Sequence, residues 1–131
     1  MGTYTELVLK CTIKYDRPEI VHNVLNFLFN ENQLHPSHLP EHEFFKRKSW
    51  EAIGRSNSYY HCPRSLNFYD GKCLFSRSDF KNYHDEIDLF LDWVKPYLSN
   101  PPGNFIGWAF GEGMKEPNFL YNDGYWRDEN L

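Results

Sequence analysis

The stretch "YTELVLKCTIKY", Tyr4 to Tyr15, decides how the chain is read. Leu7, Leu9, Cys11 and Ile13 recur at every second position, with Glu6, Lys10 and Lys14 between or beside them. Side chains two apart share one face of a strand, so this pattern predicts a strand with one buried and one polar side. Thr5, Val8 and Thr12 are at ease on a pleated backbone. A half-buried strand needs a layer to cover its apolar face, and the next segment supplies one. Asp16 stands as a candidate N-cap, worth about 1 kcal/mol, and Pro18 suits a first helical turn. Ile20, Val21, Val24, Leu25 and Leu28 then fall on one helical face, which predicts a helix from about Arg17 to Phe29.

Further along, "NSYYHC", "SLNFY" and "KCLFSRS" are short, aromatic and β-rich, separated by Pro63 and by the turn "DGK", and they predict an antiparallel meander. A second helix is predicted where Ile87, Phe90, Leu91, Val94 and Leu98 line one face and Asp85, Asp88 and Asp92 the other. Asn82 is its candidate cap, Asp85 and Glu86 suit the dipole of its first turn, and Pro96 should sit where it ends. "FIGWAF" and "PNFLY" follow the break at "SNPPGN" as two more strands. Residues 44–53 fit either a short helix or a strand, and both stay open here.

The order β-α-β-β-β-α-β-β predicts an α+β two-layer sandwich: an antiparallel or mixed sheet of about five to six strands with two main helices on one face. At 131 residues the chain suits a single domain, expected over residues 1–126, with 127–131 a disordered tail. Neither a signal peptide nor a membrane span is expected, because Glu6 and Lys10 interrupt the first apolar run. The myristoylation pattern fails at Glu6, where Ser or Thr is required. Cys11, Cys62 and Cys73 are odd in number and form no C-x-x-C pair, which points to a reducing cytoplasm. Cys11 and Cys73 are expected as inert packing thiols on apolar strand faces. Cys62 beside His61 would face the opposite side of a strand from it, so the two do not read as a base-nucleophile pair.

Charge is unevenly spread within a net −4: residues 1–40 carry −1, 41–82 carry +3 and 83–131 carry −6. Two opposed binding readings follow. The acidic row Asp85, Asp88 and Asp92, with Glu112 and Glu116 and with exposed aromatics, would meet a basic surface on another protein. Alternatively Lys46, Arg47, Lys48 and Arg55, with Arg64, Arg77 and Lys81 and the rings of Tyr59, Tyr60, Phe68 and Phe75, would hold a single-stranded nucleic acid.

Metal chemistry reads less well. "QLHPSHLPEHEFF", Gln33 to Phe45, carries His35, His38 and His42, whose imidazoles suit zinc. Two prolines interrupt the spacing, so no helix or strand aligns the rings, and a solvated loop is the simpler account. The Asp70-x-Lys72 pair, with Glu51, has the composition of a metal-dependent nuclease site. Gly71 between them makes a hairpin turn the simpler reading. No cofactor is expected, since "GWAFGEG" lacks the lysine and the helix of a phosphate-binding loop.

The pieces "YTELVLKCTIKYDRPEIVHNVLNFL", "FFKRKSW", "SYY", "FKNYHDEIDLFLDWVKPYL" and "EPNFLY" resemble a group of short accessory proteins encoded by bacteriophages and bacteria. The shared residues are mostly core and capping positions, so the resemblance carries no catalytic residues over. What it implies is a non-enzymatic protein of phage or mobile-element origin, acting in the bacterial cytoplasm. Its partner would be a host-defence complex, such as a CRISPR effector that an anti-CRISPR protein inhibits.

Overall fold

A computed structural model describes residues 3–31, 33–57 and 66–122. The opening stretch becomes β1, Thr5–Thr12, and it lies at the centre of the sheet. It is followed by α1, Glu19–Phe29; β2, Leu66–Tyr69; β3, Cys73–Phe80; α2, Glu86–Val94; β4, Phe105–Gly111; and β5, Asn118–Tyr121. All neighbouring strands are antiparallel, in the order β2-β3-β1-β4-β5. The expected α+β architecture is therefore present, a five-stranded antiparallel sheet with two helices. The expected strand "NSYYHC" and the expected tail 127–131 lie outside the described residues.

Strand β1 pairs along its whole length with β3, from Thr5 opposite Phe80 to Thr12 opposite Cys73. It pairs with β4 from Thr5 opposite Gly111 to Leu9 opposite Gly107. Gly107 has a backbone reason: a Cβ there would lie 2.0 Å from the Val8 carbonyl oxygen, and φ is +146°. The register puts Leu7, Leu9 and Cys11 on the same side as Ser78, Ser76 and Leu74, and all of these are buried. Against that side α1 lays Val21, Val24, Leu25 and Leu28, and α2 lays Ile87, Phe90, Leu91 and Val94. Each such side chain contributes about 1.5–3 kcal/mol by leaving water. Phe29 and Phe90 join the two helices edge to face, with ring centroids 6.1 Å apart.

Helix α1 starts two residues later than expected, and Asp16 does not cap it. The N-cap is Pro18 in an extended conformation, with no side-chain capping bond. A residue before proline is pushed away from helix, so Arg17 cannot be the first turn and Asp16 falls too far upstream. For α2 the cap is displaced rather than absent. The N-cap is Asp85 in the left-handed region, φ +60°, while the Asn82 side chain reaches forward to accept the Ile87 N–H at 3.1 Å. Glu86 is fully buried, accepting the His84 N–H at 3.0 Å and a hydrogen bond from the Ser49 hydroxyl.

Residues 44–53 take the short-helix alternative, in the tighter 3-10 form rather than as an α-helix. They form 3-10 turns at Glu43–Lys46 and Trp50–Ala52, anchored by buried Phe44, Trp50 and Ile53. Aromatic contacts to α2 hold them, with Phe44 against Phe90 at 5.5 Å and Phe45 against Trp93 at 5.0 Å. Pro96 sits in a 3-10 turn, Lys95–Tyr97, that ends α2 as its chemistry requires.

Candidate binding surfaces

Burying one face of α2 leaves the other in water; Asp88 and Asp92 are exposed there, and Asp85 is exposed at the N-cap. The structure sets the basic segment beside them rather than across the molecule. The turn Glu43–Lys46 packs on α2, and the Arg47 Nε donates to the His84 carbonyl at 3.2 Å. Lys46 pairs with Glu43 at 3.2 Å, and Lys48 is exposed. His42 closes the link: its Nδ1 accepts the Phe44 N–H at 3.0 Å, which leaves Nε2 to carry the proton it donates to Asp92 Oδ2 at 2.8 Å. The two sequence-level rivals, acidic row and basic run, are thus one mixed-sign surface.

Glu112 and Glu116 do not extend the α2 row. Glu112 follows β4 and accepts the Tyr4 N–H at 2.6 Å, and Glu116 is exposed in the β4–β5 connection. The remaining basic candidates are dispersed too. Arg55 donates to the Phe27 carbonyl at 2.9 Å and lies over the Phe27 ring at 4.3 Å. Lys81 lies over the Tyr4 ring at 5.5 Å. Tyr59, Tyr60, His61, Cys62 and Arg64 lie outside the described residues.

Arg77 corrects the sequence reading most sharply. It is buried on the side of the sheet away from the helices, with Nε 2.5 Å from Glu6 and Nη2 3.2 Å from Asp79. A guanidinium committed to two carboxylates is not a phosphate clamp. Glu6 and Asp79 stand directly opposite each other across β1 and β3, which is why one cation can serve both.

The three histidines part company. His35 bonds with the Pro36 carbonyl and faces Glu51 at 3.5 Å, His38 is exposed in its loop, and His42 turns to α2. Among the described residues no group of three or more His, Cys, Asp or Glu side chains is placed to hold a metal ion. The Asp70-x-Lys72 pair forms a turn: Gly71 has φ +94°, and the Asp70 side chain accepts the N–H groups of Lys72 and Cys73 at 3.0 and 2.8 Å. Those bonds hold the Asp70 carboxyl below its ordinary pKa.

The thiols differ. Cys11 is buried as expected, and desolvation pushes its pKa up to about 12. Cys73 is exposed, contrary to expectation. It sits opposite Thr12, one position out of phase with the pairing of Cys11 and Leu74, and so points away from the helices.

A polar cluster that the sequence reading missed ties α1 to the β2–β3 hairpin. His22 Nδ1 lies 2.9 Å from the Tyr69 hydroxyl and 3.1 Å from Arg17 Nη2. Arginine can only donate, so Nδ1 accepts and the ring is neutral with its proton on Nε2. Partial burial and then the Arg17 charge lower the His22 pKa, with Glu19 opposing them.

The face of the sheet away from the helices is aromatic. One rung across all five strands reads Leu66, Arg77, Val8, Trp108 and Phe119. The adjacent rung reads Phe68, Phe75 and Lys10, and beyond β1 an irregularity in the β4–β5 pairing sets Phe105 opposite Tyr121. Phe68 and Phe119 keep 53% and 55% of their surface in water, and Leu66, Phe75, Phe105 and Tyr121 are also exposed. "Exposed aromatics" are therefore real, but they lie on the opposite layer from the α2 carboxylates. Strand alternation at Phe68, Phe75 and Phe119 was the clue available in the sequence.

No helix among the described residues is long and apolar enough to cross a membrane. Compared with protein-family models, curated proteins and solved structures, the chain matches none.

Proposed function

We propose that the chain is a non-enzymatic binding protein that engages a basic site on a bacterial protein complex through the α2 surface. In the setting implied by the resemblance to phage accessory proteins, that complex belongs to host defence and the contact inhibits it by steric or charge competition. One observation carries the reading: Asp88 and Asp92 stand exposed on a helix whose other side is locked into the core, with exposed Asp85 at its N-cap. A rigid element presents charges at fixed spacing, so little ordering cost falls due on binding. The neighbouring Lys46, Arg47 and Lys48 add opposite charges that favour one register over others.

The same mixture of signs argues against the nucleic-acid alternative at this surface. Lys46 is paired with Glu43, Arg47 is held at the His84 carbonyl, and the α2 carboxylates beside them repel phosphate. The sheet aromatics contribute nothing to an α2 contact, because they face the other way.

The test is capture of bacterial proteins by tagged wild-type chain and by an Asp85→Lys, Asp88→Lys variant. The expected result is a partner retained by the wild type, released as ionic strength rises, and bound about tenfold or more weakly by the variant, with its circular dichroism unchanged. A partner held equally by both chains would rule out this surface.

A further inference from the structure

We propose that the face of the sheet away from α1 and α2 packs against the same face of a second copy of this chain. The inference concerns the layer opposite α2 and stands or falls separately from the binding role of that helix.

Amount comes first. Leu66, Phe68, Phe75, Phe105, Phe119 and Tyr121 are between 39% and 55% exposed, which leaves about 500 Å² of mostly apolar side chain in water. That matches the largest patch a typical monomer shows. Two such faces supply about 1,000 Å² from these six positions alone, the size at which a specific interface begins. Half-buried Val8 and Trp108 lie between the two flanks and add to it.

Charge then selects the occupant. Glu6 and Asp79 are closed onto Arg77, so among the described residues Lys10 is the one exposed charged side chain on the outward rungs. A nucleic acid needs several cations to replace its counterions, and a single lysine does not provide them. Depletion of charge beneath aromatic anchors is the composition of a subunit interface.

Shape points to self-pairing. The bulky residues form two flanks, Leu66, Phe68 and Phe75 on β2–β3 and Phe105, Phe119 and Tyr121 on β4–β5, with central β1 between them. A two-fold axis running along β1 lays each flank of one copy over the other flank of the second, as an isologous contact requires. Sheets stack in this way at about 10 Å. The edge strands β2 and β5 have only four residues each, so face-to-face packing is a better-supplied contact than edge pairing. The axis brings two Lys10 side chains near each other, a repulsion that long stems relieve by turning outward.

Sedimentation across a concentration series of the full chain tests this directly. The mass should rise from 15.7 kDa toward twice that value. Phe68→Ser and Phe119→Ser should each raise the dissociation constant about tenfold or more. Lys10→Leu should lower it by removing the central repulsion. Cys73 supplies a probe free of folding artefacts, since it is exposed on this face at the end of β3. Its alkylation, followed by mass spectrometry of its own peptide, should slow as wild-type concentration rises and not slow in the Phe68→Ser, Phe119→Ser double variant. A wild-type chain still monomeric at about 1 mM overturns the proposal. So does a dimer indifferent to both phenylalanine changes. An oligonucleotide that binds a monomer and is weakened by Lys10→Leu would assign the face to nucleic acid instead.

Discussion

Strand β1 presents two environments on one eight-residue ribbon. On one side Leu7, Leu9 and Cys11 lie under α1 and α2, buried to 8% exposure or less; on the other, Val8 and Lys10 stand beside half-exposed rings. Both sides are rich in apolar groups, so hydrophobicity alone does not separate them. What separates them is cover. The helices close the first face with Val24, Leu25, Phe90 and Val94, while across the second the described elements leave Phe68, Phe75 and Phe119 in water. Aromatic residues on a covered face hold the fold, and the same residues on an open face are available for a partner.

The largest effect that distinguishes the faces is on stability. Phe90→Ala should cost about 3–5 kcal/mol in urea unfolding, since Phe90 is 1% exposed and its neighbours cannot collapse into the space. Phe119→Ala should change monomer stability by about 0.5 kcal/mol or less. Equal losses would erase the distinction.

Arg77 marks an exception within the open side. Replacing it with leucine removes the cation that Glu6 and Asp79 share and should cost about 3 kcal/mol or more. Because the loss arises from the missing positive charge, Arg77→Lys should lose less than Arg77→Leu in the same urea unfolding. Equal losses for lysine and leucine would deny the ion-pair origin.

Cysteine reactivity reads the two faces chemically. At pH 8 iodoacetamide should modify Cys73 in dilute chain while Cys11 reacts only as fast as the fold opens, because burial both blocks the thiol and pushes its pKa to about 12. Denaturant should equalise them. Prompt labelling of Cys11 in the native chain would mean that the helix layer does not seal its side.

The smallest effect lies at the hinge between α1 and the hairpin. His22 has a folded-state pKa below its ordinary 6.5, so the unfolded chain takes up the proton first as pH falls. Its contribution is therefore fully present above about pH 6.5 and is lost as pH drops from there through the lowered folded value. His22→Gln should remove that component, making the thermal midpoint fall less steeply between pH 7 and 5. An unchanged slope would show that burial and the Arg17 charge do not bias the ring.

Legibility followed the range of the interactions. The alternation in β1 and the helical spacing of Ile87, Phe90, Leu91 and Val94 record contacts made by every residue in the same way, and both elements were readable. Residues 44–53 were not, because their 3-10 turns are held by Phe44 and Phe45 against Phe90 and Trp93, partners about fifty positions away. Asp16 misled for a local reason that a closer reading of the residue before Pro18 would have caught. In the candidate site, exposure of Asp85, Asp88 and Asp92 followed from periodicity. Their proximity to Lys46–Lys48, the His42 bond to Asp92 and the burial of Arg77 carried no signal in spacing.

By itself the sequence determined β1 as a strand and α1 and α2 as helices, the apolar side of β1 and α2, and the α+β class, since each depends on a period of two or 3.6 residues within a short window. Tertiary structure alone decided that the acidic row and the exposed rings occupy opposite layers, that the basic run lies beside the acids, and that Arg77 is committed to Glu6 and Asp79. Those outcomes depend on strand order and cross-strand register, which are settled between residues up to about a hundred positions apart by how well the whole core closes.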